Sequence, residues 1–171
     1  HDSAPRVDCF RKVLSRQKVY MIGQPPRTEN EYIEKVTLKD AYGNVNFYLL
    51  PFVRPSVVKP VVGTDENGNN LSYDKTLHRL IEREKINSAE RNVLVSHQFY
   101  LPAGKRAEDI ERMDSEMRTV GNIDEVSADV LEKFDYAALG HIHKPMKVGS
   151  EVFRYCGTPL ACSVSEAEQE K

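Results

Sequence analysis

Phe134-Asp-Tyr-Ala-Ala-Leu-Gly-His-Ile-His-Lys-Pro-Met146 is the stretch from which the rest of the chain is read. Tyr136 to Leu139 has the length and apolar character of a short strand. Gly140 follows, then His141-Ile142-His143, and Pro145 stops the element. Side chains two apart on extended backbone share a side, so His141 and His143 are expected to face one way. Gly140 lets the chain turn with no side chain in the path. Two imidazoles on a rigid edge suit a divalent transition metal ion or a pair of ions. The alternative is a surface strand end with two chance histidines, and so short a match does not separate the two readings.

The other histidines bear on that choice. Asn92-Val-Leu-Val-Ser-His97 reads as an apolar strand that ends in a histidine. In layered α/β folds ligand sites gather at the carboxyl ends of strands, so His97, His141 and His143 could converge on metal. His1 sits instead at the entry to a helix, where the dipole favours an anion. There it could meet a phosphate and protonate a leaving oxygen. His78 lies within a helical stretch beside Lys75 and Arg79, and is read as structural.

The chain has 171 residues, enough for one domain with a sizeable core. Apolar residues are 40 % and charged residues 29 %, an ordinary globular composition. The net charge of −2 argues against a dedicated nucleic-acid coat. It leaves room for a nuclease, because bound metal ions add positive charge locally. No apolar run approaches 18 residues, so no membrane span is expected. Cys9, Cys156 and Cys162 are odd in number and lack CxxC spacing, which points away from a disulfide framework and toward a reducing cytoplasm. Cys156 and Cys162 are expected to be buried small hydrophobes rather than ligands.

Taken in order, residues 2–18 read as a helix with Pro5 in its first turn and Val7, Phe10, Val13 and Leu14 as an apolar stripe. Its basic residues, Arg6, Arg11, Lys12, Arg16 and Lys18, read as a solvated face, with a partner or phosphate surface as the alternative. Val19 to Ile22 reads as a short buried strand. Glu31 to Leu38 and Val45 to Leu50 flank Asp40-Ala-Tyr-Gly-Asn44 and predict a β-hairpin. Three prolines between Pro51 and Pro60 predict an ordered loop and no helix. The polar run 65–70 reads as a mobile loop. Tyr73 to Ile86 reads as a helix with Ser72 as cap and Leu77, Leu80 and Ile81 inward. Residues 98–122 read as a long surface loop, and Ser127 to Phe134 as a short helix. Met146–Val148 and Val152–Tyr155 predict a hairpin turning at Gly149-Ser150, with Cys156 to Pro159 as a turn after it. The alternation of helices and short apolar strands predicts an α/β layered sandwich with a mixed sheet.

The motifs together resemble those of the calcineurin-like metallophosphoesterases. His1-Asp2-Ser3 is similar to the tail of that family's Gly-Asn-His-Asp motif. Val95-Ser96-His97 resembles its lone metal-binding histidine after a strand, and Gly140-His141-Ile142-His143 its closing Gly-His-x-His motif. Asp135 to Pro145, Arg154 to Leu160 and Ser163 to Glu166 are similar to the SbcD branch of exonuclease subunits. That branch carries a serine-glycine-serine-proline turn where this chain has Cys156-Gly157-Thr158-Pro159.

The resemblance implies a two-metal phosphodiesterase run on manganese, with magnesium as the alternative. His97 and His141 would bind one ion, His143 the other, and His1 would be catalytic at the scissile phosphate. It implies a bacterial cytoplasmic nuclease acting on DNA ends and hairpins, partnered by an SbcC-type coiled-coil ATPase as a homodimer or heterotetramer. The family's earlier motifs would precede His1, so residues 1–171 are expected to be one partial metallophosphoesterase domain, inactive alone. Two other readings stay open: a phosphoesterase acting on a small phosphodiester or phosphomonoester, and a dimer-forming module built on the helix from Ser3 to Lys18.

Overall fold

A computed structural model describes residues 3–110 and 124–167 of the chain. Its centre is a six-stranded mixed sheet. β1 (Glu34–Asp40) and β2 (Gly43–Leu50) form the predicted hairpin, pairing antiparallel from Glu34↔Leu49 to Asp40↔Gly43. β3 (Arg91–His97) lies parallel to β2. β4 (Phe99–Leu101) and β5 (Glu125–Ser127) leave the main sheet and pair parallel with each other. β6 (Tyr136–Gly140) runs parallel to β3, with Val95 opposite Ala138 and His97 opposite Gly140. β7 (Met146–Val148) and β8 (Ser150–Tyr155) make the closing hairpin, and β8 is parallel to β6. The order across the sheet is β1-β2-β3-β6-β8-β7. The expected α/β architecture with a mixed sheet is therefore present.

One face of this sheet is sealed. Tyr48, Leu50, Leu94, Ala137, Leu139, Phe153 and Tyr155 point into a core closed by two later helices. The opposite face alternates with it, as period two requires. There Val36, Phe47, Leu49, Val93 and Ala138 are half-buried, and Val95 and Tyr136 are exposed.

The four α-helices among the described residues follow the sequence reading unevenly. The predicted first helix is two short pieces, α1 (Ala4–Asp8) and α2 (Arg11–Arg16), and neither buries a residue. Phe10 and Val13 of the expected stripe are 62 % and 63 % exposed. Val7 and Leu14 of the stripe are half-buried, Val7 against Gly23, and helices this short are marginal with so little packing. Val19 to Ile22 forms no strand, because no described strand runs beside it to complete its hydrogen bonds; Val19, Tyr20 and Met21 are exposed. α3 (Pro55–Val62) overturns the loop expected across the prolines. Pro55 occupies the first turn, where a missing N–H costs nothing. Pro60 breaks the helical bonding locally, and burial of Val58, Val61 and Val62 against the core outweighs that loss.

α4 (Tyr73–Glu82) forms as predicted and ends before Ile86. Ser72 Oγ accepts from the Lys75 N–H at 3.2 Å, and Thr76, Leu77, Leu80 and Ile81 are buried. The run after Asp65 is an ordered turn, since Asp65 Oδ1 accepts from the N–H groups of Asn67 and Asn69. The surface loop expected from residue 98 is corrected at its start: Gln98, Phe99, Tyr100 and Leu101 are buried. The short helix expected over 127–134 is a 3₁₀ segment, Ala128–Lys133. Cys9, Cys156 and Cys162 are all exposed free thiols. The burial expected of Cys156 and Cys162 fails because they lie on the turn beyond β8, outside the sheet's sealed face.

Candidate metal centre at the strand ends

β3 and β6 are neighbours and parallel, so their carboxyl ends deliver His97 and His141 to one place. The two rings meet edge to face, centroids 5.5 Å apart. His141 is buried and held between aromatic rings. Phe52 stacks on it at 6.1 Å, nearly parallel at 11°, and Phe99 lies 6.1 Å away on a tilted plane. Its backbone has φ +104°, a region that a side-chain-bearing residue enters at a cost of about 1–3 kcal/mol. Such strain persists only where the surroundings impose it.

Gly140 makes room for His97. A Cβ on Gly140 would stand 2.8 Å from His97 Nδ1, below any van der Waals distance. The glycine read as a turn residue therefore serves as clearance for the imidazole on the next strand. The backbone just past His97 is clamped as well. Tyr155 Oη accepts from the Tyr100 N–H at 2.6 Å and donates to the Gln98 carbonyl at 2.7 Å. Tyr100 Oη and Ser96 Oγ share a hydrogen bond at 2.9 Å, and burial pushes the Tyr100 phenol's pKa upward. Gln98 Nε2 donates to the Pro51 carbonyl at 2.9 Å, tying this turn to the chain end of β2.

Desolvation, and then the neighbouring His143, hold the His97 pKa below its usual value. Both effects favour the neutral ring, which has a lone pair to give. A cleft of about 370 Å³ opens beside it, lined by Tyr20, Ile22, Val95, His97, Gly140 and Cys156 among others.

His143 is half-buried, and its Nδ1 lies 2.9 Å from Glu166 Oε1. Glu166 follows 23 residues later and was not singled out as a site residue by sequence reasoning. The signal that existed was small, a lone carboxylate three residues beyond Ser163 in a run of small residues. The loop that carries it also holds the His143 backbone. Thr158 N–H donates to the His143 carbonyl at 3.2 Å, and a Cβ on Gly157, whose φ is +74°, would come within 2.8 Å of that same oxygen.

Among the described residues, the one group of three His, Cys, Asp or Glu ligand atoms lying within 4.8 Å of one another is His143, Cys162 and Glu166. His97, His141 and His143 do not close to that span. Neutral imidazoles of this kind fit the nitrogen ligands of a borderline divalent metal ion. No described carboxylate joins His97 and His141 in a three-ligand group. His1, the expected catalytic histidine, lies outside the described residues. His78 stands apart on α4, bonded to Asp74 and Asp129 as a structural residue would be.

The whole chain is similar to the SbcD subunit of the nuclease SbcCD from Staphylococcus saprophyticus subsp. saprophyticus, at 28 % identity over 179 residues. The match covers 100 % of this chain and 42 % of the relative, so the chain spans less than half of that protein's length. No family model matches it. Among the described residues no helix is long and apolar enough to cross a membrane.

Proposed function

We propose that the chain is part of a metal-dependent DNA nuclease that hydrolyses phosphodiesters at DNA ends and hairpins in repair and recombination. Residues 1–171 are one partial metallophosphoesterase domain in this reading. The observation that carries it is the meeting of His97 and His141 at 5.5 Å on the carboxyl ends of adjacent parallel strands, with Gly140 cleared for the His97 ring. The similarity to a nuclease component across the whole chain supports it. His97 and His141 would hold one ion and His143 a second, with Mn²⁺ the expected metal and Mg²⁺ the alternative. Bound ions supply charge stabilisation of the attacking and leaving oxygens. The chain's own contribution is to orient three imidazoles, to favour the neutral form of His97 by desolvation, and to border the cleft where a phosphate would lie. His1 is proposed to act on the phosphate itself. An SbcC-type ATPase is the proposed partner, in a heterotetramer, and the bacterial cytoplasm the proposed compartment.

The test is Mn²⁺ binding and DNA cleavage measured side by side on the 171-residue chain and on a protein of the relative's full length that contains it. Two bound ions and cutting of linear duplex by the longer protein alone is the expected result. Cleavage of bis(p-nitrophenyl) phosphate with no cleavage of DNA would replace this reading with a small-ester phosphoesterase. Absence of metal binding in both would leave the histidines structural. The exposure of Phe10 and Val13 favours one further role, a contact between copies through α1 and α2. A concentration-dependent sedimentation coefficient that Phe10→Ser abolishes is expected if that contact forms.

A further inference from the structure

We propose that Glu166 is a positioning residue for His143, fixing the proton on Nδ1 so that the lone pair of Nε2 is the one presented for coordination. Glu166 is fully buried, at 0 % exposure. A buried carboxylate needs its acceptor sites filled, and an ionised one has about four. Three donors and one ring nitrogen reach this one. His143 Nδ1 at 2.9 Å and Ser163 Oγ at 3.2 Å approach Oε1, while Thr158 Oγ1 at 3.1 Å and the Cys162 N–H at 2.9 Å approach Oε2. An ionised carboxylate only accepts, so the ring nitrogen facing it carries the hydrogen. Neutral imidazole has one N–H, and that assignment leaves the lone pair on Nε2.

The same census decides against the neighbouring possibility. His143, Cys162 and Glu166 are close enough to hold an ion of their own. Doing so would displace at least one of the donors on the carboxylate and turn Nδ1 from donor to ligand. Glu166 acts instead through His143, as outer carboxylates do for metal-ligating imidazoles. This inference rests on the reading of His143 as a ligand only for its consequence in metal affinity. The tautomer it predicts stands or falls without any metal.

The experiment is therefore two-part. Long-range ¹H–¹⁵N correlation on the metal-free 171-residue chain is expected to show His143 protonated at Nδ1 and bare at Nε2. Glu166→Gln is expected to mix the two tautomers, and Glu166→Asp, which keeps the carboxylate, to restore part of the wild-type pattern. Affinity for Co²⁺ is expected to fall about 10–100-fold in Glu166→Gln. A wild-type ring protonated at Nε2 overturns the proposal, and needs no variant to fold. So does a Glu166→Gln chain with native circular dichroism and an unchanged His143 pattern. A thiolate-to-cobalt absorption band that Cys162→Ser removes overturns it in favour of a separate His143–Cys162–Glu166 site. The predicted tautomer with no cobalt bound by wild type supports the positioning role and counts against the nuclease reading alone.

Discussion

The two faces of the central sheet are built from the same strands and have opposite fates. On β3, Leu94 is 0 % exposed beneath the helical layer while its neighbour Val95 is 39 % exposed on the other side. The row Glu34–Leu49–Val95–Ala138 and the row Val36–Phe47–Val93–Tyr136 run across four strands on the open face. Apart from Glu34 they are apolar or aromatic. His97 has the same parity and continues this face into the cleft. The closed face thus carries the stability, and the open one leads directly to the candidate chemistry. Alternation marks which residues share a face, but only packing shows which face is sealed.

Truncating the two neighbours is the sharpest way to break that contrast. Leu94→Ala leaves a cavity in a closed core and is expected to cost about 2–5 kcal/mol. Val95→Ala is expected to cost under about 1 kcal/mol, as exposed substitutions do. Urea unfolding of both variants at one protein concentration measures the difference. Equal costs would mean that the open face is covered in solution. Sedimentation of the wild-type chain over a range of concentrations would then show association through it.

Gly140→Ala probes where the open face meets the site. The new methyl group falls 2.8 Å from His97 Nδ1, so either the backbone or the ring must move. Overpacking of this kind costs about 1–3 kcal/mol where the neighbour is rigid. The expected outcome is a modest loss of stability with a displaced His97 ring, seen as a shift of its ring proton resonances while those of His78 stay put.

Much of this arrangement was legible in the sequence. The Asp40–Asn44 turn, the Ser72 cap, the strand ending at His97 and the strand before Gly140 all carry local signals that the fold obeys. What was missed depends on contacts distant along the chain. Pro60 argued against α3, and only burial of Val58, Val61 and Val62 reverses that argument. Val19 to Ile22 has strand composition but no neighbour to bond among the described residues. The Phe10–Val13 stripe has helical spacing and nothing described to bury against. In the site, Gly140 read as a turn residue, while its clearance for His97 depends on the register between β3 and β6. Glu166 had no local reason to lie beneath His143.

His141 offers a smaller and more diagnostic effect. Glycine normally costs about 0.5–1 kcal/mol relative to alanine inside regular structure. At φ +104° the order is expected to reverse. His141→Gly should be more stable than His141→Ala by about 1 kcal/mol, while both lose the ring and any metal it holds. Thermal unfolding of the pair checks the sign. Alanine as the more stable of the two would mean that the backbone relaxes once the imidazole is gone.

The smallest expected effect contrasts His78, on the helix that seals the closed face, with His97 on the open one. Burial of the His78 ring opposes protonation, but the Asp74 carbonyl and the Asp74 and Asp129 carboxylates outweigh it, so its pKa is raised. Nδ1 lies 2.9 Å from the Asp74 carbonyl and Nε2 3.2 Å from Asp129 Oδ1. Both partners accept, so only the doubly protonated ring satisfies both. A pKa raised on folding means that the native state binds the proton more tightly. The resulting stabilisation is full below the unfolded value near 6.5 and is lost as pH rises through the folded value. His78→Gln should therefore lower the urea midpoint more at pH 5.5 than at pH 8.5. The difference is of order 0.5 kcal/mol, the scale of partly exposed ion pairs. His97 carries the opposite shift and should give the opposite trend. His97→Gln is expected to relieve a penalty at pH 5.5 that is absent at pH 8.5, and parallel slopes for the two variants would dissolve the distinction between the faces.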